Sequence, residues 1–358
     1  MIDGAEVLVQ ISSVEKLKFT DAVIFDCDGV LIDSRGSYDR AIEATVAHFL
    51  SRLLRLETGS ARLTQSIVEA LRETGQYNND IDAAAAILVS IAASLPCDEV
   101  MKCLRNEDGA AKRLQDRYGS DEFVDQALSM SDMASNGFRL FVDRIKEDDP
   151  DSGQCVDALL ERLAYPGGPA SSPLSRVFDE YFYGPVLLKK LHGLDPVVGC
   201  GAGLIDYEKV LVSAETLQSL SSLLRNGALG IVSGRSRLGT EYSLAELMQF
   251  FSEGPMIFLE DHDENVNPKK PIPGKPRPES LLLAADQLET SKRILYVGDS
   301  TEDLIMTQNA NRILPKFTFC GIVGTANGPR RTRSLAERKA DVILESVNNL
   351  PGMLRSTR

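Results

Sequence analysis

The sequence predicts an α/β fold built on a parallel sheet, split by a large all-helical insertion after its first strand. Three observations predict it. Residues 228–346 alternate short apolar runs with stretches of helical spacing, the pattern of strands joined by crossover helices. Those runs are apolar at nearly every position, as strands covered on both faces are. Residues 34–212, by contrast, carry helical spacing and no convincing strand.

Taken in order, AVIF within DAVIFDCDGVLI (21–32) is the first strand. Helical runs then follow one another: SYDRAIEATVAHFLSRLLRL, SARLTQSIVEALRETG, IDAAAAILVSIAASL, DEFVDQALSM, GFRLFVDRIKE, QCVDALLERLA and SRVFDEYFYGPVLLKKL. Turn-forming stretches separate some of them, at GQYNNDID, KEDDPDSG and YPGGPASSP. The strand pattern resumes with ALGIVSG (228–234), a helical SLAELMQFF (243–251), MIFLED (256–261), a helical PESLLLAADQLE (278–289) and RILYVGD (293–299). STEDLIMTQNA (300–310) opens on a capping serine and continues as a helix. FTFCGIVG (317–324) and ADVILES (340–346) supply two more strands. The domain reading is therefore 1–33 with 213–358 for the α/β part and 34–212 for the helical part. Hinges are expected near Ile32 to Gly36 and near Gly199 to Ser213.

Composition narrows the function. A chain of 358 residues has room for a sizeable core, and its net charge of −13 argues against nucleic acid or an anionic membrane as partner. The most apolar segment, AAAAILVSIAASL, is too short to span a bilayer and reads as a buried helix. The N-terminus is too polar for a secretory leader, and six cysteines without a CxxC pair fit reduced thiols, so a cytoplasmic location is expected. Strand alternation turns Cys27 away from the acids on either side of it.

In parallel sheets the ligand sits beyond the carboxyl ends of the strands. Four ends stand out. The first strand stops at Asp26-Cys27-Asp28-Gly29, and the second at Ser233-Gly234-Arg235. The third is followed by NPKKPIPGKPRPES, and the fourth stops at Gly298-Asp299, with Asp303 one helical turn on. Each alone is weak; their order and placement make them a set.

DAVIFDCDGVLIDS, GIVSGR, GKPRPESL and YVGDSTEDL resemble, in order, the four motifs of the haloacid dehalogenase superfamily. The chain looks closest to its subfamily I, the phosphoglycolate-phosphatase-like group. The resemblance implies a Rossmann-like core and makes the insertion a type 1 helical cap of unusual length, which would set substrate choice and exclude water. It implies Asp26 as the nucleophile that forms an aspartyl-phosphate, and Asp28 as general acid and base. Ser233 and the Gly234 amide would bind the phosphoryl oxygens, with Lys275 as their counter-charge; Lys269 and Lys270 compete with Lys275 on composition alone. The implied cofactor is Mg2+, held by Asp26, the Asp28 carbonyl and Asp299; Asp303 would either ligate through water or orient the lysine. Arg35, Tyr38 and Arg235 are candidate substrate contacts, with Arg40 behind them. The acid at position 28 points to phosphoryl transfer rather than dehalogenation. The expected activity is hydrolysis of a small phosphorylated metabolite. Its alternatives are a phosphomutase of the β-phosphoglucomutase kind and a catalytically silent binding protein.

Overall fold

The computed structural model describes residues 7–56, 61–74, 77, 79–107, 109–118, 121–224, 228–252, 254–258, 272–288, 291–324 and 328–358. By its contacts the chain forms two units, Met1–Arg35 with Glu208–Arg358, and Gly36–Tyr207.

The first unit is the α/β one. Its strands are β1 (Val7–Val9), β2 (Ala22–Phe25), β3 (Ile32–Asp33), β4 (Lys209–Val210), β5 (Leu229–Val232), β6 (Met256–Ile257), β7 (Ile294–Gly298), β8 (Phe317–Ile322) and β9 (Val342–Leu344). Seven of them form one sheet in the order β1-β9-β8-β7-β2-β5-β6. It is parallel except for the short β1, which pairs antiparallel with β9 at the edge. The chain runs from β2 outward through β5 to β6, then returns to β7 on the other side of β2. The strand order therefore reverses at β2, and ligands of such sheets bind at that reversal. Phe25 lies level with both Ile231 and Val297. That register brings Asp26, Ser233 and Asp299, which follow β2, β5 and β7, to the same edge.

Alternation along β2 explains the two cores. Val23 and Phe25 join Leu17, Leu217, Ile231 and Leu354 on one face; Ala22 and Ile24 join Leu281, Tyr296 and Phe319 on the other. Cys27 lies fully buried on the Phe25 face, with its Sγ 3.8 Å from Thr240 Oγ1. It points into the core, as alternation requires.

Among its described residues the second unit carries helices and no strand. After α1 (Val14–Lys18) in the first unit come α2 (Arg35–Phe49), α3 (Ala61–Thr74), α4 (Asp80–Ala93), α5 (Cys97–Leu104), α6 (Ala110–Arg117), α7 (Asp121–Asp132), α8 (Phe138–Asp148), α9 (Pro150–Leu163) and α10 (Pro173–His192). Its centre is α4, buried at every residue from Ala83 to Ala93 and packed against α7, α8 and α9. The small alanines let those neighbours approach closely. Among the described residues no single helix is long and apolar enough to cross a membrane. Two short helices, α5 and α6, were not expected from the sequence.

α10 breaks at Gly184, where φ is +72° and Pro185 follows. A side chain at 184 would meet the backbone nitrogen of Gly203 at 2.6 Å, so the returning chain passes directly against the break. Just before it, the buried Glu180 carboxylate accepts the amide N–H groups of Val197, Val198 and Gly199 at 2.5–3.0 Å. The glycines expected to give a loose crossing are thus partly pinned. The aromatic run 178–184 packs as core: Tyr38 stacks on Phe182 with ring centroids 4.3 Å apart, and Phe178 lies behind.

The crossings between the units differ from expectation at one point. Residues 209–210 were read as part of the helical insertion, but they form β4, paired with β3 (Ile32↔Val210, Asp33↔Lys209). The α/β unit accordingly begins again at Glu208 rather than 213. Beyond it lie α11 (Ala214–Leu223), α12 (Arg237–Leu244), α13 (Glu279–Asp286), α14 (Thr301–Ile313), α15 (Gly328–Glu337) and α16 (Leu350–Thr357). The helix expected over 243–251 starts earlier, at Arg237, because Ser236 caps it there; Ala245–Phe251 continues as 3-10 turns.

Candidate active site

Asp26 is the residue after β2. Its Oδ1 receives the Lys275 ammonium at 2.8 Å. Lys275 reaches the site from the turn that precedes α13, and its other partner is Asp303 Oδ1 at 2.7 Å. One buried cation thus bridges two carboxylates. Lys269 and Lys270 lie outside the described residues.

Asp303 is completely buried near the start of α14 and is engaged on both oxygens. Oδ1 takes Lys275 and the Tyr296 hydroxyl at 3.0 Å. Oδ2 accepts the Ser300 hydroxyl at 2.7 Å and the amides of Ser300 and Asp299 at 3.1 and 3.2 Å. Ser300 in turn caps α14 by accepting the Asp303 amide, so cap and site share the same residues.

Asp299 completes the acid group. Carboxylate oxygens of Asp26, Asp299 and Asp303 lie within 4.8 Å of one another. Arg331, from α15, holds Asp299 Oδ2 at 2.8 Å. The loop of Asp28 and Gly29 runs beside it: Gly29 has φ of +73°, and a side chain there would stand 2.0 Å from Asp299 Oδ2. Only glycine fits both the backbone turn and the close approach. That loop is tied by Gly29 N–H to Ile32 O at 2.8 Å and by Leu31 and Ile32 N–H to Cys27 O.

The electrostatics follow from burial. Desolvation pushes the Asp26 carboxyl up to about 8, against the pull of Lys275; Asp303, Asp28 and Asp299 push the same way as burial. Burial likewise lifts Asp299 to about 6, with Arg331 opposing. Asp303 goes the other way. Burial would raise it, but Lys275 and the Ser300 donors outweigh that and hold it below the usual carboxylate range. For Lys275, burial is outweighed by Asp26 and Asp303, and the ammonium is held well above its ordinary value. Three acids around one lysine leave a surplus of negative charge in a confined space. Hard oxygen donors of this kind suit a divalent cation such as Mg2+. Asp26 and Asp299 are the carboxylates with capacity for it, since both Asp303 oxygens are already saturated.

Ser233 is buried after β5, with Gly234 beside it and the Arg235 amide 3.3 Å from the Ser233 hydroxyl oxygen. Asp28 is one-third exposed and meets the Arg235 guanidinium at 3.1 Å.

Arg235 itself is a correction. A substrate contact must be reachable, yet this side chain is fully buried and its charge is met by Glu208 and Asp28. Arg35 forms a two-pronged pair with Asp33, both contacts at 2.9 Å. Tyr38 belongs to the helical unit and stacks on Phe182, while Arg40 lies over the Tyr207 ring at 4.7 Å. Sequence reading missed Tyr296, Arg331 and Glu208. Tyr296 had a signal, a phenol inside an apolar run, since a buried hydroxyl needs a partner. Arg331 stood in the basic stretch GPRRTRSLAERK, which no motif covered.

Comparison with known proteins agrees with the geometry. The family model of haloacid dehalogenase-like hydrolases matches residues 184–311. The matched segment takes in Ser233, Lys275, Asp299 and Asp303, and lies short of the first strand end, Asp26 to Gly29. The fold is shared with a crystal structure from the Northeast Structural Genomics Consortium, at 21% identity and a TM-score of 0.64, covering 94% of this chain and 98% of that one. It is also shared with phosphatase Tt82 from Thermococcus thioreducens, at 19% identity and a TM-score of 0.50, covering 89% and 99%. No curated protein sequence matches the chain.

Proposed function

We propose that the protein is a Mg2+-dependent phosphatase that hydrolyses a small phosphorylated metabolite through a phosphoryl group carried on Asp26. The observation that carries the reading is the Lys275 ammonium, 2.8 Å from Asp26 and 2.7 Å from Asp303, at the point where the strand order reverses. The Tt82 fold likeness is in keeping with it.

Each residue has a task on this reading. Lys275 favours the ionised form of Asp26 against burial and offers positive charge to the incoming phosphoryl group. An Asp26 oxygen bonds to phosphorus as the bond from phosphorus to the ester oxygen breaks, and Asp28 gives that leaving oxygen its proton. Asp28 then takes a proton from water as the water oxygen bonds to phosphorus, releasing phosphate and freeing Asp26. The Ser233 hydroxyl and the Gly234 amide hydrogen-bond the phosphoryl oxygens. Asp303 aims Lys275 and is not a ligand. Asp26, Asp299 and the Asp28 carbonyl would hold Mg2+, whose charge would let an anionic substrate approach these acids.

Phosphate release from p-nitrophenyl phosphate tests the reading. Release with Mg2+ that stops on chelation supports it. Release unaffected by EDTA, or none from p-nitrophenyl phosphate and a panel of metabolite esters, contradicts it.

The raised acids make a second prediction. An acid whose folded pKa lies above its unfolded value stabilises the fold below the unfolded pKa and loses that advantage as pH rises through the folded one. For Asp26 the window runs from its ordinary 3.8 to about 8. In EDTA, the Tm of the native chain should therefore fall more steeply between pH 5 and pH 8 than that of Asp26→Asn. Mg2+ should restore more Tm at pH 8 than at pH 5. Parallel pH–Tm curves for the two chains would remove Asp26 as the source.

A further inference from the structure

Arg235 is a fully enclosed charged side chain near the site, and its terminal nitrogens meet several partners. Both terminal nitrogens face Glu208, at 2.9 Å (Nη1 to Oε1) and 2.5 Å (Nη2 to Oε2). Nη1 also meets Asp28 Oδ1 at 3.1 Å, and Nη2 meets Ser243 Oγ at 3.0 Å and the Gly239 carbonyl at 3.4 Å. Ser243 donates to Glu208 Oε2 at 2.6 Å. The Glu208 side chain is 2% exposed, Arg235 0% and Asp28 34%. A buried ion pair bonded by both guanidinium nitrogens is rigid, and of the three charged side chains Asp28 is the part-exposed one.

The backbone explains how Glu208 arrives. It precedes β4, and β4 pairs with β3, which begins four residues after Asp28. Leu211 N–H adds a bond to Leu31 O at 2.8 Å. The ribbon thus carries Glu208 back to the same loop that bears Asp28, opposite the strand end that bears Arg235.

We propose that Arg235 is a positioning residue for Asp28, and that Glu208 is the counter-anion that lets a buried guanidinium serve there; the inference rests on the phosphatase reading above. The guanidinium grips one oxygen, Oδ1, and fixes the carboxyl plane, so that Oδ2 carries the proton to the leaving oxygen and later takes one from water. Without Glu208 the buried guanidinium would lose the carboxylate that binds both of its terminal nitrogens. With Glu208 bound by both nitrogens, the pair is neutral and the grip is mainly geometric.

Leaving-group dependence separates this role from a structural one. A good leaving group needs little help from a proton donor, whereas an alkoxide needs it fully. The experiment compares kcat/KM for p-nitrophenyl phosphate, phenyl phosphate and glycerol 2-phosphate in the native chain, Arg235→Lys and the double variant Arg235→Gln/Glu208→Gln. The double variant leaves no buried ion unpaired, so it is the one to use if Arg235→Gln alone fails to fold. The expected loss in the double variant is about 10-fold with p-nitrophenyl phosphate and roughly 10²- to 10³-fold with glycerol 2-phosphate. Arg235→Lys, which keeps the charge but not the fork, should fall between. An equal loss across the three esters overturns the proposal, as does a rise in KM with kcat unchanged, which would make Arg235 a substrate contact after all. A native chain inert on all three and on other phosphate esters would instead remove the phosphatase reading, and this inference with it.

Discussion

Asp26→Asn is expected to abolish phosphate release, by on the order of 10⁴-fold or more. The change is nearly isosteric, so the loop from Cys27 to Ile32 and its hydrogen bonds to Cys27 O should stay in place. What disappears is the anionic oxygen that would bond to phosphorus. An amide also cannot pair with Lys275 as a carboxylate does, so the lysine keeps only Asp303 among its two close anions. The variant should fold and, in EDTA at pH 8, be no less stable than the native chain, because it removes an acid whose ionised form burial disfavours. Loss of activity without loss of Tm is the expected pattern. A variant that retains a tenth of native turnover would show that Asp26 is not the attacking group.

Lys275→Met has the second largest effect, and it falls on both activity and stability. The ammonium pairs directly with two buried acids, Asp26 and Asp303. Removing one partner of a buried pair typically costs about 3–5 kcal/mol, because the remaining charges are left uncompensated. Methionine keeps most of the volume, so the loss is electrostatic rather than a cavity. In EDTA, urea unfolding should show the deficit widening from pH 5 to pH 8, as Asp26 and Asp303 ionise without the lysine. Activity should fall about 10²- to 10³-fold, the usual consequence of losing one charge-stabilising donor at a reacting centre. A variant as stable as the native chain at pH 8 would mean that the ammonium does not hold these carboxylates.

The parts of the fold that the sequence exposed are those where every residue of an element obeys one rule. AVIF, LGIV and ILYVG are buried at all positions, so their apolar runs announced strands covered on both faces. The acids and the serine after them were conspicuous because a buried strand has no structural use for them. Ser300 and Asp303 announced the start of α14 because the cap uses those same two side chains. β1 was invisible: three residues paired antiparallel at a sheet edge are too few to show a period. α5 and α6 were missed because eight residues hold barely two turns of amphipathic pattern, and loops close to each end hide it. β4 was missed for a similar reason, since its two exposed residues are a strand only through their partner.

The site divides the same way. Asp26, Asp28, Ser233, Lys275, Asp299 and Asp303 could be read because each stands at a strand end or beside a helix start. The role of Arg235 could not, because an arginine after Ser-Gly looks the same whether it points outward or inward. Its burial depends on Glu208, which reaches it only through the pairing of β3 with β4. Arg331 is similar: it comes to Asp299 from a helix that follows the last motif, and spacing alone does not bring the two together.

Trapping the phosphoryl group on the enzyme tests the central claim most directly. The native chain, mixed with p-nitrophenyl phosphate and Mg2+ and quenched in acid within a turnover, should yield a peptide spanning Asp26 that carries one phosphoryl group. Hydroxylamine should remove that group, as it does from an acyl phosphate, and Asp26→Asn should show no label. Turnover with no label on that peptide at any quench time, or label elsewhere that persists in Asp26→Asn, would contradict the account.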